Sequence, residues 1–418
     1  MKPLAFVSVL LLARCVFAAD SINVGEEFVV MPTGPGGNVQ ATPSVAFGSK
    51  TYLVAWREGW LGKGGDARIY AARVSGDGKV LDPNGIAVTA AKVASQERPR
   101  VAFGGGVFLV VWQDFRNGHD FDILAARISP EGQVLDSDPI NIAVGPRTQA
   151  LPDVASDGTQ FLVVWQGLQD TEAGYRGFAA TVSNSGKVGP VVETGATPQP
   201  RIAWNGARYL VAYGIQAVHS VMLSPDGKAL NASPWGNQTI RSTKDACFSV
   251  SGVPSKGWLV VGHRSPPDPW GWGGPGAMRA AFVNADGKLE NEDAVKEPSG
   301  VQSKLPGWLD LGRVKNKDAT WPFGSSTSAW DGKQSVVVWQ RHHLCGEKFT
   351  NFENCDLIAS RVDGFRPQDE AGVPVATSEA EERQPSLASN AAGHLFCVYE
   401  RRGKDGKVRV VGRMLQTN

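Results

Sequence analysis

The chain has 418 residues, with 42 Lys and Arg against 41 Asp and Glu. That balance, with no basic tract, excludes a charge-driven nucleic-acid binder. Apolar residues make up 42%, which excludes wholesale disorder, and 49 Gly with 26 Pro favour short strands and turns over long helices.

The first element is "MKPLAFVSVLLLARCVFAAD". Lys2, an apolar run through Leu12 and a Val-Phe-Ala end read as a secretory signal over residues 1–18. The run is too short to span a bilayer, and no later segment is apolar enough to do so. Arg14 stands where a lipoprotein signal needs a small residue before Cys15. The mature chain is therefore expected outside the cytoplasm, secreted or periplasmic, at a formal 40 − 41 = −1.

Next comes "EEFVVMP" at residues 26–32, an isolated strand pattern, and after it a unit that repeats. Aligned on the first residue of "YLVAW" or its equivalent, the copies begin at Tyr52, Phe108, Phe161, Tyr209, Trp258, Ser335 and Leu395. A period near 50 residues signals a propeller or solenoid. Each unit holds four short segments, as in "PRVAFGG", "VFLVVWQ", "DILAARIS" and "QVLDSDPINIAV". The middle two are β-branched, aromatic and too short for helices. The turns "SGDGK", "SPEGQ", "SNSGK", "SPDGK" and "NADGK" supply the Gly that a tight hairpin needs. Four antiparallel strands make a propeller blade. The last unit stops one strand short, and residues 26–32 match the missing outer strand. The prediction is an all-β chain: a single seven-bladed β-propeller of four-stranded antiparallel blades over residues 19–418, closed by an N-terminal strand in the last blade. Residues 298–325 read as an insertion between blades 5 and 6.

The motifs P-x-V-A, [FY]-L-V-[VA]-W and A-A-R-[VI]-S with a following D/E-G turn resemble those of secreted bacterial β-propeller repeat proteins. The resemblance covers nearly the whole mature chain and is strongest in blades 1 and 2. The Gly-His and Trp-Asp pairs of Trp-Asp repeat propellers are absent, as is the trailing aromatic of the sialidase Asp-box. The resemblance implies fold and location, and no particular activity.

Function is expected on the face carrying the variable loops between strands two and three. Two residues past each "VVW" end stand Glu58, Asp114, Gly167, Ile215, Arg264, Arg341 and Arg401, so acids lead in blades 1 and 2 and arginines in blades 5 to 7. Arginine forks grip carboxylates, sulfates and phosphates, and His263, His342 and His343 adjoin this basic arc. Trp270 and Trp272 in blade 5, with Trp308 and Trp321 in the 298–325 segment, offer stacking faces for sugar rings or cover a local core. The first functional expectation is thus a binding propeller holding an anionic polysaccharide or another surface component, with Arg264, Trp270, Trp272, Trp308, Arg341 and Arg401 as contacts. A polysaccharide lyase using His263, Arg264, Arg341, His342 or His343 is the alternative. A glycoside hydrolase using Glu58 and Asp114 is the second alternative.

"DFRNGHDFD" gathers Asp114, Asn117, Asp120 and Asp122, hard oxygen donors that fit Ca²⁺ chemically but lack EF-hand spacing. No cofactor is expected, and the chain is expected to be a monomer. Cys345 and Cys355 flank one loop and are expected to pair as a disulfide; Cys247 and Cys397 fall in strand patterns and are expected as buried thiols.

Overall fold

The computed structural model describes residues 21–32, 39–60, 67–89, 95–169, 174–214, 218–230, 238–240, 245–264, 277–290, 308–312, 320–321, 325–343, 355–364, 366–369 and 371–417. For residues 238–248, 263–264, 277, 308–310, 312, 320–321 and 342–343 the description within these spans is of the backbone alone.

Seven antiparallel sheets follow one another along the chain. Blade 1 runs Gln40–Gly48, Thr51–Glu58, Arg68–Ser75 and Ile86–Ala87; blade 2 runs Gln96–Gly104, Val107–Asp114, Asp122–Ile128 and Ile140–Ala143. Blade 3 (Gln149–Ser156 to Val192–Glu193) and blade 4 (Arg201–Trp204 to Gln238–Ile240) repeat the pattern. Blade 5 comprises Asp245–Val253, Gly257–Arg264, Ala277–Asn284 and Trp308–Gly312. In blade 6 the inner strand is split into Thr320–Trp321 and Ser326–Trp330, and the outer into Arg366–Pro367 and Val373–Ala376. Both flank Ser335–His343 and Cys355–Asp363. The 298–325 segment is thus not all insertion. Trp308–Gly312 completes blade 5 and Thr320–Trp321 begins blade 6, because each supplies backbone groups to an edge that would otherwise stay unpaired.

Blade 7 closes the ring. Glu381–Ser389, His394–Arg402 and Val408–Thr417 take their outer strand from the other end of the chain. Phe28 and Val29 pair with Gly412 and Val411, beside Val408–Leu415 as the repeat count requires. Pairing also begins earlier than the sequence pattern suggests, with Ile22 opposite Thr417. Gly25 to Glu27 interrupt the strand, which lets the Glu27 side chain turn inward.

The core lies between blades rather than within them. Seven apolar clusters alternate with the seven sheets, and the cluster joining blade 7 to blade 1 packs Phe396 and Val398 against Tyr52 and Val54. At the end of the second strand, Trp56, Trp112 and Trp165 are almost wholly buried. On the lower face the recurring hairpins put Gly78, Gly132, Gly186, Gly227 and Gly287 at φ of 80–90°, which L-residues with a side chain rarely adopt. The A-A-R and V-L-D segments that flank this turn are explained by one contact. Arg73 grips Asp82 in a fork at 2.9 Å, Arg127 grips Asp136 at 2.7 Å, and Arg361 grips Asp369 at 3.0 Å.

Candidate functional site

Connections between first and second strands all lie on one face and are short. Those between second and third strands lie on the other, where their lengths differ. On this upper face the two acids of blades 1 and 2 turn inward. Residues two apart on a strand share a side, so Glu58 sits beside Trp56 and accepts its indole N–H at 3.0 Å. Asp114 accepts the Trp112 indole at 2.9 Å, the Gln96 amide at 3.0 Å and the Arg116 guanidinium at 2.7 Å, with no exposed surface. Burial alone would push the Asp114 carboxyl up, but the bonds from Arg116 and Trp112 outweigh it and hold it below its usual range. A general acid for glycoside cleavage needs the opposite shift and an open carboxyl. Here both carboxylates anchor the indole of their own strand.

The other loop oxygens of blade 2 are also engaged. Asp122 accepts Asn117 Nδ2 at 3.2 Å and the Gly145 N–H at 3.3 Å, and Asp120 accepts the Arg147 N–H at 3.1 Å. Among the described residues no three His, Cys, Asp or Glu side chains form a metal-ligand cluster.

Arg341 and Arg401 occupy the same register position of blades 6 and 7. Arg341 pairs with Asp356 at 2.9 Å and keeps 29% of its side chain exposed; Arg401 pairs with Glu27 and keeps 41%. His263 and Arg264 end the second strand of blade 5, and His342 and His343 end that of blade 6. Their side chains, with Trp308 and Trp321, lie outside the description, as do Trp270, Trp272 and Cys345 entirely. The expected Cys345–Cys355 bridge therefore falls outside the described residues; Cys355 is buried and stands opposite His342. Cys397 is a buried free thiol whose pKa burial raises to about 12.

Beneath this face the inner strands build a feature that the repeat motifs did not reveal. Five of them carry a residue before proline at positive φ: Thr42, Arg98, Leu151, Gln199 and Gln384, at 52–55°. In blades 1, 2, 3 and 7 the ladder register shifts at this point, a β-bulge. The bulge frees a backbone N–H, and the residue after the preceding blade's tryptophan or tyrosine receives it. Gln113 accepts from Leu151 at 3.0 Å, Gln166 from Gln199 at 3.1 Å, and Glu400 from Thr42 at 2.7 Å. Blade 1 has Arg57 at this position. It lies among Glu97, Arg98 and Glu400, and desolvation lowers its pKa.

One step further along the inner strands a second set of joints encloses the central channel, a cavity of about 220 Å³ lined by all seven blades. Here the side chain after each proline, or its equivalent, accepts a backbone N–H of the next blade. Ser386 takes that of Val45, Ser44 that of Val101, Asp153 that of Ile202 and Thr327 that of Leu387, at 3.0–3.2 Å. Blades 2 and 4 depart from the pattern with Arg100 and Arg201, and in blade 5 Ser249 meets the Ser328 hydroxyl at 3.4 Å instead. Flanking each proline with its neighbours (T-P-S, R-P-R, L-P-D, Q-P-R, Q-P-S) would have exposed this difference in the sequence.

No family model and no curated protein matches the chain. Solved structures match by shape. A protein of unknown function from Dyadobacter fermentans is similar at 9% identity and a TM-score of 0.50, covering 95% of this chain and 99% of that one. The GH93 α-L-arabinofuranosidase of Fusarium graminearum is similar at 12% identity and 0.46, covering 94% and 98%. A GH43_1 enzyme of Xanthomonas citri is similar at 15% and 0.39, covering 65% and 96%. At these identities the likeness speaks to the fold alone.

Proposed function

We propose that the chain is an exported binding protein whose upper face holds an acidic polysaccharide or another anionic surface component. One observation carries this reading: Arg341 and Arg401 stand at the same position of adjacent blades, part-exposed, each with one carboxylate partner among the described residues. A guanidinium has five donors, and one carboxylate uses at most two in a fork. Donors therefore remain for an external oxyanion. A hydrolytic role for Glu58 and Asp114 is disfavoured by their enclosure under Trp56 and Trp112. Export rests on the signal-like residues 1–18.

The test is calorimetric titration of the mature chain with uronate polymers, repeated for Arg341→Ala and Arg401→Ala. Each substitution should weaken binding about tenfold, the scale of one charged contact. Unchanged affinity in both would discard the reading. Absorbance of an unsaturated product, followed in the same samples, would turn it toward lyase chemistry.

A further inference from the structure

We infer that the central channel is itself a binding site for one small oxyanion, a carboxylate, sulfate or phosphate group, held between arginines of blades 2 and 4 and hydroxyls of blades 6, 7 and 1. This site is separate from the loop face proposed above and does not depend on it.

The argument begins with what the repeat demands. Most of the joints around the channel use a hydroxyl or carboxylate because the adjacent inner strand offers an N–H that needs an acceptor. Arginine has donors only, so Arg100 and Arg201 cannot make that bond. Two blades thus give up a joint and bring a cation to the axis instead. Arg98, exposed to the channel water at the neighbouring bulge, adds a third guanidinium. Among the described residues the channel lining supplies one carboxylate, Asp153, 3.6 Å from Arg100 and already accepting the Ile202 N–H. Glu97 lies near Arg98 but outside that lining.

The remaining wall is neutral and rich in oxygen: Thr42, Ser44, Ser325, Ser326, Thr327 and Ser386. Among the described residues the hydroxyls of Thr42, Ser325 and Ser326 are buried and make no hydrogen bond. Ser326 as a whole is 5% exposed. A buried hydroxyl left unpaired is destabilising unless something fills its place. Like charges crowd on one side of the channel, and the unsatisfied hydroxyls belong to blades 1 and 6. A tetrahedral or planar oxyanion satisfies both demands at once, accepting from guanidinium and hydroxyl donors together. Desolvation, with Arg201 adding repulsion, pushes the Arg100 guanidinium down to about 10, a penalty that a bound anion would relieve. The cavity has room for one such group, free or carried on a single sugar acid.

The full chain should be titrated with inorganic phosphate, sulfate and glucuronate at constant ionic strength, read by calorimetry and by melting temperature. At least one of them should bind with one-to-one stoichiometry and raise the melting temperature. Arg201→Gln should lower that affinity about tenfold or more, and Ser326→Ala, which removes only an oxygen, several-fold. Lys79→Ala, which removes an exposed cation from the lower face, should leave it unchanged. Binding by the inorganic ions points to a free ion as the natural ligand; binding by glucuronate alone points to a sugar acid. The inference is overturned if none of the three binds, or if affinity is indifferent to both Arg201→Gln and Ser326→Ala. Should Arg201→Gln fail to fold, Arg100→Gln and Ser326→Ala decide the matter.

Discussion

Glu27 accepts a 2.6 Å hydrogen bond from the Tyr399 hydroxyl, joining residues 372 positions apart. The same carboxylate meets Arg401, while Arg413 donates to the Tyr399 hydroxyl at 3.2 Å and to the Gly25 carbonyl at 2.9 Å. This polar cluster locks the first described strand against the last. Tyr399→Phe should cost about 1–3 kcal/mol, and Glu27→Ala a similar amount, because each leaves a partly buried partner unsatisfied. The double variant should lose less than the sum of the two. Reversible urea unfolding measures all three, and strict additivity would show that the contact does not couple the chain ends.

Asp114→Ala should damage stability and spare binding. It strands the Trp112 indole, the Gln96 amide and the Arg116 guanidinium together, so a loss of about 3–5 kcal/mol is expected, the scale of breaking a buried ion pair. Measured at a temperature where the variant is still folded, its affinity for acidic polymers should match the parent. Selective loss of binding with an unchanged melting temperature would return Asp114 to the functional site.

The joints made by Gln113 and Gln166 should be individually measurable. Gln113→Leu keeps the size of the side chain but removes the acceptor for the Leu151 N–H, at a residue whose backbone already carries positive φ. A loss of about 1–3 kcal/mol is expected, seen as a lower urea midpoint with an unchanged slope. Faster hydrogen exchange at the Leu151 amide would locate the effect at that joint.

Glu400 gives a pH dependence. Burial pushes its carboxyl up, and the Thr42 N–H, Arg383 and Arg57 only partly offset this. A carboxyl raised in the folded state disfavours its own ionisation there. The cost is absent well below the ordinary carboxylate range, where folded and unfolded chains are both protonated. It grows as pH rises from that range through the raised folded value, and is complete above it. Glu400→Gln keeps an acceptor for Thr42, as Gln113 and Gln166 do for their partners, and removes the titration. The parent should lose stability relative to Glu400→Gln as pH rises from the ordinary carboxylate range through the raised folded value, as judged from urea midpoints. A difference constant with pH would refute this.

Much of the ring was legible in the sequence because a propeller writes its core seven times. Tyr52, Phe108 and Phe161 fall at one register in the repeat and are fully buried at equivalent ladder positions. The closing strand was readable from the missing segment of the last unit. Its start at Ile22 was not, since Gly25 and two glutamates break the apolar pattern there. Trp308 read as part of an insertion because outer strands are short and carry little periodicity. The inward turn of Glu58 and Asp114 was available in principle: Trp-x-Glu and Trp-x-Asp place acid and indole on one side of a strand. The channel arginines went unnoticed for a different reason. Arg98 and Arg100 sit at a bulge and Arg201 opens its strand, where alternation fails and only contact across blades gives a position its meaning.

The pairing of Ile22 with Thr417 also sets the order in which the molecule can mature. Residues 22–29 leave the ribosome well before residues 408–417, the strand on which they dock. Any prematurely terminated product keeps a naked β-margin, free to recruit strands from neighbouring copies. Docking of these two strands and protection from self-association thus become a single event.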